Sequence, residues 1–258
     1  MRASVGAELV AALLLAPAAP AAAEPPPIVR PADAAKLSPR ELGPELYAAN
    51  CARCHGGDGA GLLPGEGDGA GPPLLGAGAQ AADFYLRTGY MPLGDPSDQP
   101  VRSRVRFREH EIRALVDYVA GLGSGGPGVP RVDPAAGSVS DGLELFTEHC
   151  AGCHQVVAEG GVVTSVRVPP LDKATPTQVA EAVRIGPYVM PAFSEEDISD
   201  DELASIVAYV QYAKHPDDAG GWGIDQLGPF PEGMVTWLIG AVALIGVCLV
   251  IGKRLEKP

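Results

Sequence analysis

The sequence predicts an all-α protein of two small domains in tandem, closed by one transmembrane helix near the C-terminus. Three observations carry this: a five-residue cysteine motif that occurs twice, capped helical segments placed alike around each copy, and an uncharged apolar run just before the chain ends.

The motif is Cys51-Ala52-Arg53-Cys54-His55, and again Cys150-Ala151-Gly152-Cys153-His154. Both read C-x-x-C-H, the attachment pattern of c-type haem. Two thiols three positions apart on a helical turn can add to the two vinyl groups of one porphyrin, and the next residue offers an imidazole to the iron. A redox dithiol needs no His after its second Cys. A zinc site needs four ligands closing a tetrahedron. Two copies in a matched frame point to two covalently bound haems c.

Composition agrees. The 258 residues leave room for about two small domains. Only 5% are aromatic, which is thin material for two cores unless a large apolar cofactor fills each. The net charge of −13 argues against a nucleic-acid partner. Four of the five cysteines belong to the motifs and Cys248 lies in the apolar run, so no disulfide framework is implied.

Residues 1–23 resemble a secretory signal peptide, with Ala21-Ala22-Ala23 as the cleavage region and an uncleaved anchor as the alternative. Glu24 to Arg30 is read as a Pro-rich tether. The first domain, 38–123, opens on a capping box, Ser38-Pro39-Arg40-Glu41, and its helix should bury Leu42 and Tyr47 and end at Cys51. Gly56 to Gly71 is a loop around the cofactor edge. Next comes Gly71-Pro72-Pro73-Leu74, where a proline carbonyl is placed to fix the ligand histidine. A short helix at Phe84 to Arg87, then Met91-Pro92, then a helix from Glu109 to Leu122 complete the unit.

Residues 124–137 have linker composition. The second domain, 138–215, repeats the plan: a helix capped by Asp141 and Glu144 leading to Cys150, then Pro169-Pro170-Leu171, a helix capped at Thr175 and closed by Gly186, Met190-Pro191, and a helix capped by Ser199 and Glu202. From Cys51 to Cys150 and from Met91 to Met190 the shift is 99 residues, but from Tyr118 to Tyr209 it is 91. The first domain therefore carries an eight-residue insertion near Gly94 to Arg108. It holds Arg102, Arg104, Arg106 and Arg108, read either as a clamp for haem propionates or a partner, or as a solvated loop.

After a juxtamembrane segment, 216–233, residues 234–252 are long enough to span a bilayer, and Trp222 and Trp237 bracket the start of this run. Lys253, Arg254 and Lys257 in the tail, 253–258, place the C-terminus in the cytoplasm and the haem domains outside.

Of five His and four Met, Met1 is the initiator and Met234 lies in the apolar run. Met91 and Met190 remain, each 36 residues after its motif His. They are the expected distal ligands opposite His55 and His154. His/Met ligation fills both axial positions and suits electron transfer rather than peroxide chemistry. His110, His149 and His215 are read as ordinary polar residues.

These features resemble the di-haem cytochrome c subunit of the menaquinol–cytochrome c reductase (bcc-type complex) of high-GC Gram-positive bacteria. The most specific parts are the tandem C-x-x-C-H domains, Met190-Pro191-Ala192-Phe193-Ser194, and the Gly-rich Trp222 to Gly233 run before a single span. The resemblance implies two class I cytochrome c domains: Cys51, Cys54, His55 and Met91 would serve one haem, and Cys150, Cys153, His154 and Met190 the other. It implies electron flow from a Rieske iron–sulfur protein to an aa3-type oxidase, with cytochrome b as a further partner and no substrate chemistry in this subunit. The alternative is a free-standing, membrane-anchored di-haem cytochrome c serving another periplasmic oxidoreductase.

Overall fold

The computed structural model describes residues 24–66, 69–216 and 229–255. The expected signal peptide, Asp68, the run from Trp222 to Gly228 and Lys257 lie outside the described residues.

Repeat 1 contains α1 (Pro39–Asn50), α2 (Ala52–His55), α3 (Gly78–Arg87) and α4 (Glu109–Ala120). Repeat 2 contains α5 (Val139–His149), α6 (Ala151–His154), the strands β1 (Gly161–Val163) and β2 (Val166–Val168), α7 (Pro176–Ile185) and α8 (Asp200–Ala213). Both repeats belong to one compact unit that runs to Gln211. The second unit holds α9 (Pro229–Leu255), whose stretch Gly233–Leu255 is long and apolar enough to cross a membrane.

The caps form as the sequence asks. The Glu41 carboxylate accepts from the Ser38 N–H and hydroxyl, Thr175 Oγ1 accepts from the Gln178 N–H, and Glu202 accepts from the Ser199 N–H. One cap differs. Ser138, not Asp141, caps α5, its hydroxyl accepting from the Asp141 N–H. Two overlapping cap signals compete here, and the earlier one adds a helical turn and leaves Asp141 at the positive end of the helix dipole. Similarly, α3 begins at Gly78 rather than near Phe84, and α4 stops at Ala120.

In each repeat the first and last helices cross at a glycine. A Cβ on Gly43 would sit 2.4 Å from the Ala114 carbonyl oxygen and 2.9 Å from Tyr118 Cβ. A Cβ on Gly142 would sit 2.0 Å from the Ser205 carbonyl oxygen and 2.9 Å from Tyr209 Cβ. Gly43 and Gly142 are 99 residues apart and their facing tyrosines 91, so the arithmetic of the repeat is also its packing. Around the crossings lie the cores: Leu42, Leu46, Tyr47, Ile112 and Leu115 in repeat 1, and Phe146, Ile198, Ile206, Val207 and Val210 in repeat 2.

Two segments expected to be loose, and the insertion that was left between a clamp and a solvated loop, are packed. First, Val29 and Asn50 exchange two hydrogen bonds, and Arg30 pairs with Glu111 through bonds of 2.7 and 3.0 Å while also donating to the Arg106 carbonyl. The Pro-rich tether is therefore a strap on repeat 1. Glu111 is fully enclosed. Burial alone would push its carboxyl up, but the Arg30 hydrogen bonds, the Arg108 N–H and both arginine charges hold it below the usual carboxylate range. Arg30→Met should cost about 2 kcal/mol, less than a wholly buried pair because Arg30 is part-exposed. Urea titration at neutral pH should show that loss, and it should shrink as pH falls and Glu111 protonates. Second, in the linker, the Gln80 N–H donates to the Pro127 carbonyl at 3.1 Å.

Third, the insertion ties the repeats together. Gln99 exchanges two hydrogen bonds with the backbone of Arg167 on β2. Arg102 donates to Gln178 Oε1 at 2.7 Å, and Gln178 reaches the Arg87 carbonyl at 3.4 Å. Arg106 donates to the Pro26 carbonyl at 3.2 Å. Arg104 is exposed, and Arg108 serves through its backbone N–H, which donates to Glu111 at the start of α4. Two of the four arginines are thus committed to protein acceptors, unlike a solvated loop.

The hairpin β1–β2 is an addition to the all-α expectation. Its turn, Thr164-Ser165, takes positive φ at both positions (49° and 68°), the twist that joins two antiparallel strands tightly.

Candidate haem centres

In each repeat the first helix ends on the first motif cysteine, and one further helical turn carries the rest. In α2, the Cys54 and His55 N–H groups both donate to the Cys51 carbonyl. In α6, those of Cys153 and His154 donate to the Cys150 carbonyl. Each turn therefore gathers two thiols and an imidazole. The loops behind them follow one frame: Gly61 N–H donates to the His55 carbonyl, and Gly160 N–H to the His154 carbonyl.

The prolines act as expected. His55 Nδ1 lies 2.8 Å from the Pro72 carbonyl oxygen, and His154 Nδ1 lies 3.2 Å from that of Pro169. A carbonyl can only accept, so Nδ1 carries the proton and Nε2 is left with a bare lone pair, the form that ligates a metal. Burial holds the His154 pKa below the ordinary histidine value, with the Pro169 contact opposing, which keeps the ring neutral.

Tyrosine hydroxyls brace the same turns. Tyr47 on α1 donates to the Gly56 carbonyl at 2.8 Å, and its ring packs 5.0 Å from Tyr118 on α4. In repeat 2, Phe146 takes the place of Tyr47, 5.3 Å from Tyr209, and Tyr209 on α8 donates to the Val156 carbonyl. The brace is kept, but the opposite helix supplies it. Sequence reasoning turned Tyr47 inward and used Tyr118 and Tyr209 only as landmarks of the repeat, without finding the hydroxyl's role; the Tyr47-to-Phe146 exchange within the repeat was the available clue.

A cleft in repeat 1 is lined by Cys51, Cys54, His55, Pro72, Met91 and Phe107, among others. The structure thus brings together all four residues predicted for the first centre. Pro26 of the strap and Phe107 of the insertion also line it; neither was foreseen, because both arrive from distant segments. In repeat 2, Cys150, Cys153 and His154 share one turn. Met190 stands half-buried in the loop between α7 and α8, which Arg184 braces by donating to the carbonyls of Phe193, Ser194 and Ile198.

The donor set suits a c-type haem: paired thiols, an oriented imidazole, a thioether across the cleft and apolar walls. Glycine keeps the approach open, since a Cβ on Gly71 would lie 3.1 Å from the His55 ring. Burial, reinforced by the neighbouring cysteine, pushes the Cys51 thiol up to about 12 and Cys150 up to about 11. An activated redox cysteine requires the reverse shift. The acids of the first loop are engaged locally: Asp58 accepts from the Ala60 N–H and Glu66 from the Leu63 N–H.

The chain is similar to known proteins. The family model described as "Cytochrome c" matches residues 41–123, and that described as "Cytochrome C oxidase, cbb3-type, subunit III" matches 137–210. A protein of Mycobacterium bovis, named cytochrome bc1 complex cytochrome c subunit, is 36% identical over 98% of this chain and 91% of its own. A protein of the same name from Corynebacterium diphtheriae is 35% identical over 82% of this chain and 80% of its own. The cbb3-type cytochrome c oxidase subunit CcoP of an Azospirillum species is 29% identical over 65% of this chain and 60% of its own.

Proposed function

The chain belongs to the family of cytochrome bc1 complex cytochrome c subunits, and from that premise we propose that it is a two-haem relay fastened to the outer face of a membrane. Its cytochrome c domains serve electron transfer, and one apolar helix fits a membrane anchor. We assign Cys51, Cys54, His55 and Met91 to one haem c and Cys150, Cys153, His154 and Met190 to the other. Haem c, when bound, supplies a one-electron couple. The chain's own residues do the rest. Paired cysteines would hold the porphyrin, the proline carbonyls orient the imidazoles that would bind its iron, the two methionine thioethers would complete the ligand set, and apolar side chains would hold water away.

The observation that carries this reading is the pair of histidines, each pinned through Nδ1 to a proline carbonyl, in two repeats that form one compact unit. Electrons would enter from a Rieske iron–sulfur protein and leave to an aa3-type oxidase, with cytochrome b as the membrane neighbour. Lys253 and Arg254 at the end of α9 support a cytoplasmic position for that end. The subunit has no substrate chemistry of its own.

Purification of the intact chain in mild detergent tests this. We expect two covalently bound low-spin haems per chain, recovered with cytochrome b and Rieske subunits. Recovery of the di-haem chain alone would favour a free-standing anchored cytochrome c instead. Fewer than two such haems would overturn the ligand assignment.

A further inference from the structure

The seam between the repeats encloses a carboxyl group that electron transfer does not use. Helices α3 and α7 pack against each other across it. Glu181 on α7 is fully buried, and neither of its carboxyl oxygens has a hydrogen-bond partner among the described residues. The charged groups facing it are few. From α3 come Asp83 and Arg87, which are paired at 2.7 Å. Arg87 also forks onto Glu109 of α4 at 2.6 and 2.9 Å, so its guanidinium is divided between two other carboxylates. From the insertion, Arg102 is engaged by Gln178. On α7 itself, Arg184 is turned to the Ser194 and Ile198 carbonyls and to Asp200.

An ionised Glu181 would therefore be a sealed anion with no donor, beside a second anion. A protonated Glu181 is itself a donor, and Asp83 is the acceptor next to it. We propose that Glu181, with Asp83 beside it, is a proton-binding site of the inter-repeat seam, filled while the seam is closed and emptied to solvent when it opens. The closed form is the neutral acid; the open form is the carboxylate plus one released proton.

The electrostatics agree. Burial first, then the Asp83 charge, push Glu181 up to about 8, with Arg87 opposing. The linkage has a definite sign. The closed seam holds the proton more tightly than the open one, so closure is favoured at low pH. Between the ordinary glutamate value of 4.5 and about 8, each unit of pH should raise the opening equilibrium tenfold, with a plateau above. The consequence for electron flow rests on the two-haem reading above: Tyr85 accepts the Met91 N–H through its carbonyl, and its phenol lies against the Tyr188 backbone, two residues before Met190, so opening would part the two methionine loops.

The test uses the haem-loaded full chain in detergent. Infrared difference spectra between neutral and alkaline pH should show the carbonyl stretch of a protonated carboxylic acid, and Glu181→Gln should remove it. Hydrogen exchange of α3 and α7, corrected for its intrinsic pH dependence, should show opening that rises tenfold per pH unit through that window in the native chain and stays flat in Glu181→Gln. Asp83→Asn is the second variant, should the first not fold; it should lower the pH at which the carbonyl band is lost. A neutral-pH spectrum without that band, equal pH slopes in the native chain and Glu181→Gln, or a band lost at the same pH in Asp83→Asn would overturn the proposal. Neither readout depends on haem ligation, so a wrong haem count would sink the functional reading and leave these outcomes intact.

Discussion

Met91→Leu and Met190→Leu should each lower the midpoint potential of one haem by a few tenths of a volt, within the roughly 0.8 V range over which axial ligands set haem potentials. The reasoning is local. Thioether sulfur is a soft donor that favours ferrous iron, and leucine keeps the volume while removing the donor. In repeat 1 the side chain lines the cleft that also contains His55, so its loss opens the sixth position without disturbing the first. A redox titration of the native chain should resolve into two couples, and each variant should displace one. The sulfur-to-iron absorbance should fall by about half each time. A variant that leaves both couples and that band unchanged would remove its methionine from the ligand set. Because each repeat has its own core, neither substitution should shift the other haem's potential appreciably.

Gly142→Ala and Gly43→Ala should each be strongly destabilising. At Gly142 the new Cβ would meet the Ser205 carbonyl oxygen at 2.0 Å and Tyr209 Cβ at 2.9 Å. Backbone lies on the far side, so relief requires the helices to separate. Overpacking of this kind costs about 3 kcal/mol, and the better helix propensity of alanine returns about 1 kcal/mol, leaving a loss of about 2 kcal/mol. For a unit of this size the melting temperature should fall by about 6 °C. Gly43→Ala should cost somewhat less, because its tightest contact is 2.4 Å. Thermal unfolding followed at the haem absorbance checks both. A melting temperature unchanged in Gly142→Ala would mean that the crossing of α5 and α8 is not close-packed. Damage at this crossing should also loosen the Val156 loop, since Tyr209 supplies both the packing face and the hydroxyl that holds it.

What could be read from sequence was what short-range chemistry decides. The C-x-x-C-H turns, the caps at Ser38, Thr175 and Ser199, and the prolines behind each histidine all act within about twenty residues of themselves. The insertion was visible as a change of shift, but its role was not. Arg102 finds Gln178 and Gln99 finds Arg167 across separations of 76 and 68 residues, and no local pattern announces such a meeting. The same holds for Arg30 and Glu111, 81 residues apart, which turn a proline-rich segment into a strap. The hairpin stayed hidden for another reason: its turn uses Thr164-Ser165, not the Asn-Gly or Gly-rich pairs that usually mark positive φ. At α5 the signals were legible but two, and the choice between Ser138 and Asp141 depended on how far the helix could run back along its packed face.

The exchange of bracing tyrosines has a consequence for how such a duplicated chain can change. Repeat 1 takes its hydroxyl from the entering helix, and repeat 2 from the closing one. A recombinant joining the entering helix of the first copy to the closing helix of the second would carry both donors toward one loop. The reciprocal recombinant would carry neither of the two donors now in use. The two copies share one plan, yet the brace in each depends on its own pairing of entering and closing helices.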